Sequence, residues 1–525
     1  MNQINEDYIA PLGDSIPEEP KKKSQKPLMI VLISILAIGI IVALTFFIMN
    51  KWFRSTKDKV FDGMKATLNE EVHSPLDSYL GLKKLTKMIE SGSFQEDFSL
   101  SLDRIGGNYM DNTIAMVEGV GIQSSSMMNV SEKKYSGNSS ITYAGIPYLN
   151  CDIFAYDDFI ALQIPELLDG YFEIKTSNLG KDFNNSYISE ASGETLDESL
   201  VFNFFDLFST LGSSKKESNI VDSFHASYKK DMKKAYDDIT VEKVDSASLQ
   251  VGKKEQSCQG YLVTIPTDSM QTMGEILCEY LNETMAKEAL PTQDLSTILN
   301  YESLKPYLNK DFIFTVYLDK KGRMVMLTQN TEMYDGLVTI DSKFQWLGTE
   351  FLSDTFTGTI QVLIAGQTYT MNIDSNSNLQ KDVNENNLIL AISQGGTSLV
   401  QFTYHDSFNS KTGILNLSCL ANQGATELLR LDVTGGFEDV TPGKGFTFNL
   451  DDVSLDINSG DYTASLSGDF TISPLNTSIA SPTGTKYNLF EMNENDFTTV
   501  VNEITKNLNT SPLVNLITNM LYGGY

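Results

Sequence analysis

The sequence predicts an α+β, β-dominated fold: an N-terminal transmembrane helix followed by large curved antiparallel sheets packed with helices. Three observations predict it. Leu28–Met49 is a run of 22 residues in which only Ser34 and Thr45 carry polar side chains. From Asp311 onward apolar and polar residues alternate with a period of two. Before Asp311, and again near the C-terminus, apolar residues fall at helical spacing.

The apolar run is taken first. At about 1.5 Å per residue it makes a helix of roughly 33 Å, enough to cross a bilayer core. It exceeds a signal-peptide core, and Asn50-Lys51-Trp52-Phe53-Arg54 follows it with no Ala-x-Ala cleavage pattern. A retained anchor is expected, with Leu28 and Met49 at its ends, Gly39 paired with Ala43 as a close-packing spot, and Trp52 at the interface. Lys21, Lys22, Lys23 and Lys26 precede the run, and Lys51, Arg54, Lys57 and Lys59 follow it, so basic residues do not decide orientation. A segment so near the N-terminus reads as a signal anchor. The expected placement is a single-pass protein of the cell membrane, N-terminus cytoplasmic and C-terminal domain extracytoplasmic.

The chain divides into a disordered cytoplasmic tail (1–27), the transmembrane helix (28–49), a juxtamembrane helix and linker (50–74), an α+β part with a helical insert (75–310), an antiparallel β part (311–480) and a C-terminal helical segment (481–525). In "DFSLSLDRIGG", Phe98, Leu100 and Leu102 alternate with Ser99, Ser101 and Asp103. Met270, Met273, Leu277, Leu281 and Met285 form a helical stripe after Pro266. "LVTIDSKFQWL" sets Val338, Ile340, Phe344 and Trp346 on one strand face. Runs at Val400-Phe402-Tyr404, Leu429-Leu431-Val433, Phe446-Phe448-Leu450, Val453-Leu455-Ile457 and Tyr462-Ala464-Leu466 repeat the pattern between turn residues, as antiparallel meanders do. Phe497, Val500, Val501, Ile504 and Leu508 are expected on one side of a final helix.

Composition narrows function. A formal net charge of −29 at pH 7 opposes binding to nucleic acid, which needs Lys and Arg to neutralise phosphates. Cys151, Cys258, Cys278 and Cys419 contain no Cys-x-x-Cys pair, and three pairings remain open among them. The three histidines, His73, His225 and His405, are too far apart in sequence to suggest a metal pair. Lys411-Thr412-Gly413 matches a triplet of penicillin-recognising enzymes, yet the helical domain their chemistry needs is absent from the pattern. In "DSNSNLQKDVNE", Asp374, Asn376, Asn378 and Glu385 occupy ligand positions of a calcium loop. Leu379 stands where that loop needs glycine, and a polar hairpin explains the segment equally well. No catalytic residue and no cofactor is indicated.

The hairpin around Asp319-Lys320-Lys321-Gly322, the stretch "YDDFIALQIPEL" and the helix-then-sheet order from "SPLDSYLGL" resemble single-span surface proteins of Gram-positive anaerobes. More distantly they are similar to lipoprotein-carrier and LppX-like folds. That resemblance implies a curved antiparallel sheet cupping helices or lipid. The expected function is non-enzymatic: an envelope protein that meets the lipid bilayer through 28–49 and binds a partner or a hydrophobic, lipid-like ligand. The alternatives are a hydrolase acting on cell wall, which needs convergent acids with a perturbed carboxylate, and a purely structural or adhesive module.

Overall fold

The computed structural model describes residues 55–68, 70, 74–108, 114–205, 230–287, 301–305, 308–333, 338–349, 351–364, 366–512 and 514. The chain forms two compact units. The smaller holds 230–239 and 265–312, and the larger holds the rest of the described chain.

In the smaller unit, helix α6 (Thr267–Lys287) buries Met270, Met273, Ile276 and Cys278. Its first backbone N–H is capped by Asp311, whose Oδ1 accepts from Thr267 N at 2.8 Å and Thr267 Oγ1 at 3.0 Å. Gln271 Nε2 donates to Leu308 O at 2.9 Å, fixing the returning chain after the short helix α7 (Tyr301–Leu304).

The larger unit is built on strands. In chain order the first six are β1 (Ser93–Gly106), β2 (Val120–Asn129), β3 (Lys134–Tyr143), β4 (Ile146–Tyr156), β5 (Phe159–Gln163) and β6 (Gly170–Lys175). Then come β7 (Thr240–Val251), β8 (Lys254–Ile265), β9 (Phe312–Leu318), β10 (Met324–Met333), β11 (Val338–Trp346), β12 (Thr355–Ile364) and β13 (Gln367–Gln380). The last are β14 (Val383–Gln394), β15 (Thr397–Asn409), β16 (Ile414–Gln423), β17 (Thr426–Thr441), β18 (Gly445–Ile457), β19 (Tyr462–Pro474) and β20 (Thr485–Asn488). All belong to one twenty-stranded sheet.

From β9 to β19 each strand pairs antiparallel with the next, a meander in which the β9–β10 turn and the turns from β12 to β19 hold Gly or another residue at positive φ. β19 then pairs with β1, which lies some 370 residues earlier: Phe98 faces Phe470 and Leu100 faces Gly468. From β1 the sheet continues through β2, β3, β4, β5 and β6 to β20, whose pairing with β6 is parallel.

Helices decorate this sheet. On α1 (Thr56–Leu68), Val60, Phe61, Met64 and Thr67 recur at helical spacing and are buried, and Thr67 Oγ1 donates to Met324 O at 2.8 Å. Glu70 continues the clasp: it accepts from Arg323 Nη1 at 3.1 Å and from Leu352 N at 2.6 Å, while Asp319 accepts from Arg323 Nη2 at 3.0 Å. α2 (Pro75–Leu80) starts on Ser74, whose hydroxyl accepts from Leu76 N, and ends on Gly81 in the left-handed region, after which α3 (Leu82–Glu90) begins. α4 (Leu179–Asn184) and α5 (Tyr187–Ser192) follow β6, and α8 (Glu494–Thr510) closes the described chain.

This corrects the expected fold class. The strands before and after Asp311 share a single sheet, antiparallel except at β6–β20, and helices are a minor part of the described residues, so the described chain is not the helix-packed α+β assembly expected. No helix of the described residues is long and apolar enough to cross a membrane, and Leu28, Gly39, Met49 and Trp52 lie outside the described residues. The single-pass bitopic arrangement with a cytoplasmic N-terminus has no helix among the described residues to carry it and is not taken further. On α8 the expected stripe also changes: Val500 is buried with Phe497 and Ile504 beside it, but Val501 is 54% exposed.

The β1–β19 seam makes a prediction. A Cβ on Gly468 would sit 2.0 Å from Ser99 O, a backbone atom that cannot move without breaking the ladder. Gly468→Ala should destabilise the fold by about 3 kcal/mol, the upper range for overpacking, read as a lowered midpoint in urea unfolding.

Candidate functional site

Because side chains alternate across a pleated strand, registered pairing gathers like residues into rows. One row crosses Val316, Leu327, Phe344, Gly358, Ile373, Leu390, Phe402, Ala421, Leu429, Ile457 and Tyr462. Another continues over the seam through Leu450, Gly468, Leu100, Ile122, Ile141 and Leu149. The opposite face is polar: Asn376, Asn387, His405, Ser418, Asp432, Ser454 and Ser465 form a row there.

The apolar face is covered unevenly. Over β9 to β12, Phe314, Val316, Ile340, Phe344 and Ile360 are buried. At one margin Leu80 of α2 packs on Phe408 and Phe437, and the Tyr79 ring meets Phe408 edge-on at 5.2 Å. At another, Phe205 packs with Met128 and Ala155. Between these caps Phe98, Ile122, Ile141, Ile153, Leu162, Ile392, Val400 and Tyr462 remain 36% to 51% exposed, all on the same face. Large apolar side chains left exposed on one face are the feature from which binding surfaces are built.

Toward the ends of β13 to β15 the face turns polar at Ser377, Asn386 and Asp406, with Leu379 and Phe408 flanking Asn384 in the last row, and it borders a cavity of about 540 Å³. Ser377, Asn384 and Asn386 line it from the sheet, with Thr349, Asp354 and Lys253 from neighbouring turns. Next to it, burial and a hydrogen bond to Asp406 push the Tyr404 phenol up to about 12, so that it stays neutral.

The residues singled out in the sequence are placed as follows. Asp374, Asn376 and Asn378 lie along β13, and Glu385 is on β14 opposite Asn378. Extended backbone spaces alternate residues by about 7 Å, so their oxygens follow the strand and do not converge. Among the described residues no group of three or more His, Cys, Asp or Glu is placed to hold a metal ion. His405 is on the polar face with Nδ1 2.8 Å from Asn387 Oδ1, while His73 and His225 lie outside the described residues. Lys411-Thr412-Gly413 forms a turn anchored on Asn409 Oδ1, not a strand. All four cysteines are free thiols. Asn384 and Asn386 were not singled out in the sequence, though Asn384-x-Asn386-x-Leu388-x-Leu390-x-Ile392 carries the signal: a polar-to-apolar step on one strand face.

Among the described residues two carboxylates are shifted in titration, Asp197 by Ser199 and Glu427 by Arg430, and both are shifted downward at the surface. That is opposite to a general acid held protonated by burial. A buried polar cluster does exist at the sheet's end: Glu173 on β6 accepts from the Tyr156 hydroxyl and pairs with Lys486 of β20. Lys486 also lies 5.4 Å above the Phe159 ring. The cluster fastens β20 in place, where only four residues hold the parallel pairing.

No protein-family model matches the chain, and no curated protein matches it. Among solved structures it is matched with an anion-selective porin from Comamonas acidovorans at 6% identity and a TM-score of 0.20, covering 73% of this chain and 98% of the porin. Wzi of Escherichia coli, an outer-membrane, carbohydrate-binding β-barrel involved in capsule assembly, matches at 7% identity and a TM-score of 0.21, over 84% of this chain and 98% of Wzi. A BenF-like porin from Pseudomonas fluorescens gives 5% identity and a TM-score of 0.21, over 74% and 99%. At such TM-scores neither their fold nor their function passes to this chain.

The Glu173 cluster gives a pH dependence. Its hydrogen bond to Glu173 raises the Lys486 ammonium above the ordinary lysine value, and burial followed by the Glu173 bond raises the Tyr156 phenol. Both groups hold their proton more tightly when folded, so the stability they add is complete below about pH 10 and is lost as pH rises beyond it. Thermal melts should show a fall in midpoint above that pH, and the double variant Tyr156→Phe with Lys486→Met should flatten it.

Proposed function

We propose that this protein is a binding protein that shelters the acyl chains of an amphiphile on the open apolar face of its sheet. One observation carries the reading: eight large apolar side chains on the same registered face, spread from β14 through the seam to β5, are left about 36% to 51% exposed between capped margins. Leaving such a surface in water is unfavourable by about 25 cal/mol per Å², and a ligand that covers it gains about 0.8 kcal/mol per buried methylene. The polar row on the reverse keeps the other side of the sheet hydrated. This is the role that the resemblance to curved-sheet lipid carriers implies.

Protein purified without detergent should carry lipid-range mass in native mass spectrometry, and should bind a fluorescent fatty-acid probe after organic extraction. Ile122→Ser combined with Ile141→Ser should weaken the probe about tenfold while changing stability by only about 1 kcal/mol, because both side chains are already half exposed. Native spectra free of added mass, together with a probe that does not bind, would remove the proposal.

A further inference from the structure

We infer that the head of this amphiphile is an uncharged, hydroxyl-rich group, a sugar or other polyol, seated in the cavity at the foot of β13 to β15. The inference rests on the acyl-binding reading and adds the class of head group to it. Along the ligand-facing side of β14 the side chains run Asn384, Asn386, Leu388, Leu390, Ile392. Asn386 faces Ser377 on β13 and Asp406 on β15, whereas Leu390 faces Ile373 and Phe402. Between these rows polarity changes in step on three adjacent strands, while in the last row Asn384 stands between Leu379 and Phe408. From Asn386 to Ile392 the strand rises about 20 Å, the reach of a long acyl chain, so a head in the cavity leaves its tail on the apolar rows.

The cavity's size, about 540 Å³, falls within the ordinary span of small-molecule sites. Its chemistry favours hydroxyl partners. Asn384 is 8% exposed and lines the cavity; its Oδ1 accepts from Ser377 Oγ at 3.4 Å, and its amide N–H groups are donors by chemistry. Asn386 spends Nδ2 on Asp406 at 2.9 Å and keeps Oδ1 as an acceptor. A hydroxyl both donates and accepts, and so satisfies both amides. A phosphate offers acceptors only, and would meet a single lysine, Lys253, offset by Asp354, in a chain of net charge −29. A quaternary ammonium head would find one aromatic ring, Phe351, and no cage.

The test uses the full chain, stripped of lipid, titrated by calorimetry with three monomeric amphiphiles sharing one decyl tail: a maltoside, a phosphocholine and a sulfate. The maltoside should bind at least tenfold more tightly than either charged head. Asn386→Ala should remove that preference while leaving affinity for the sulfate unchanged. Asn378→Ala, at the exposed rim of the same cavity, serves as the second variant should Asn386→Ala fail to fold. Three equal affinities would overturn the head-group inference and leave acyl binding standing. A sulfate or phosphocholine that binds most tightly would replace the polyol by a charged head. Failure of all three to bind would overturn both readings.

Discussion

The pairing of β1 with β19 is the constraint on which the rest of the architecture depends. Without it the meander from β9 to β19 and the six strands that begin the sheet would be separate ribbons, each with a raw edge of unpaired N–H and C=O groups. With it the apolar rows run unbroken through Gly468 and Leu100. Gly468 is demanded there by the closeness of Ser99 O, and the Ser99 hydroxyl is in turn engaged with Asp469 at 2.5 Å. The seam is local in space and remote in sequence, and it settles which side of the sheet faces which medium.

A two-faced sheet this wide poses one physical problem, the fate of its apolar side. The protein answers in three ways. Some of that side is buried, some is roofed by short pieces such as α2 and Phe205, and the remainder is left open. The roof is small and meets aromatic rings of the sheet: Tyr79 of α2 lies edge-on to Phe408 and Phe437, and beneath it Phe437 meets Phe408 and Phe446 edge to face. The covering is therefore thin, and the open strip beside it is a persistent feature of the register.

Much of this was legible residue by residue. Phe98, Leu100 and Leu102 on β1, and Val338, Ile340, Phe344 and Trp346 on β11, occupy the face their alternation assigns. Alternation reports the face of a strand but not its neighbour, so nothing in "DFSLSLDRIGG" announces a partner near Asp469. The division at Asp311 marked a change in helix content, which the strand pairing ignores. The cavity escaped notice for a chemical reason. Asn and Ser are turn formers as readily as binding groups, and "DSNSNLQKDVNE" satisfied the turn reading through its tight hairpin at Lys381, where φ is +54°. On α8 the helical period placed Val501 beside Val500, but only the narrower stripe of Phe497, Val500 and Ile504 meets Leu168 and Met492.

The remoteness of the seam has a consequence for biosynthesis. Ser99 leaves the ribosome 370 residues ahead of Asp469, a delay of roughly 20 to 70 s at ordinary translation speeds. For all that time β1 has one edge without a mate, and its apolar side chains are open to wrong partners. A nascent chain of this design must be chaperoned or must tolerate waiting, and the final hairpin to emerge completes the sheet that the earliest strands began.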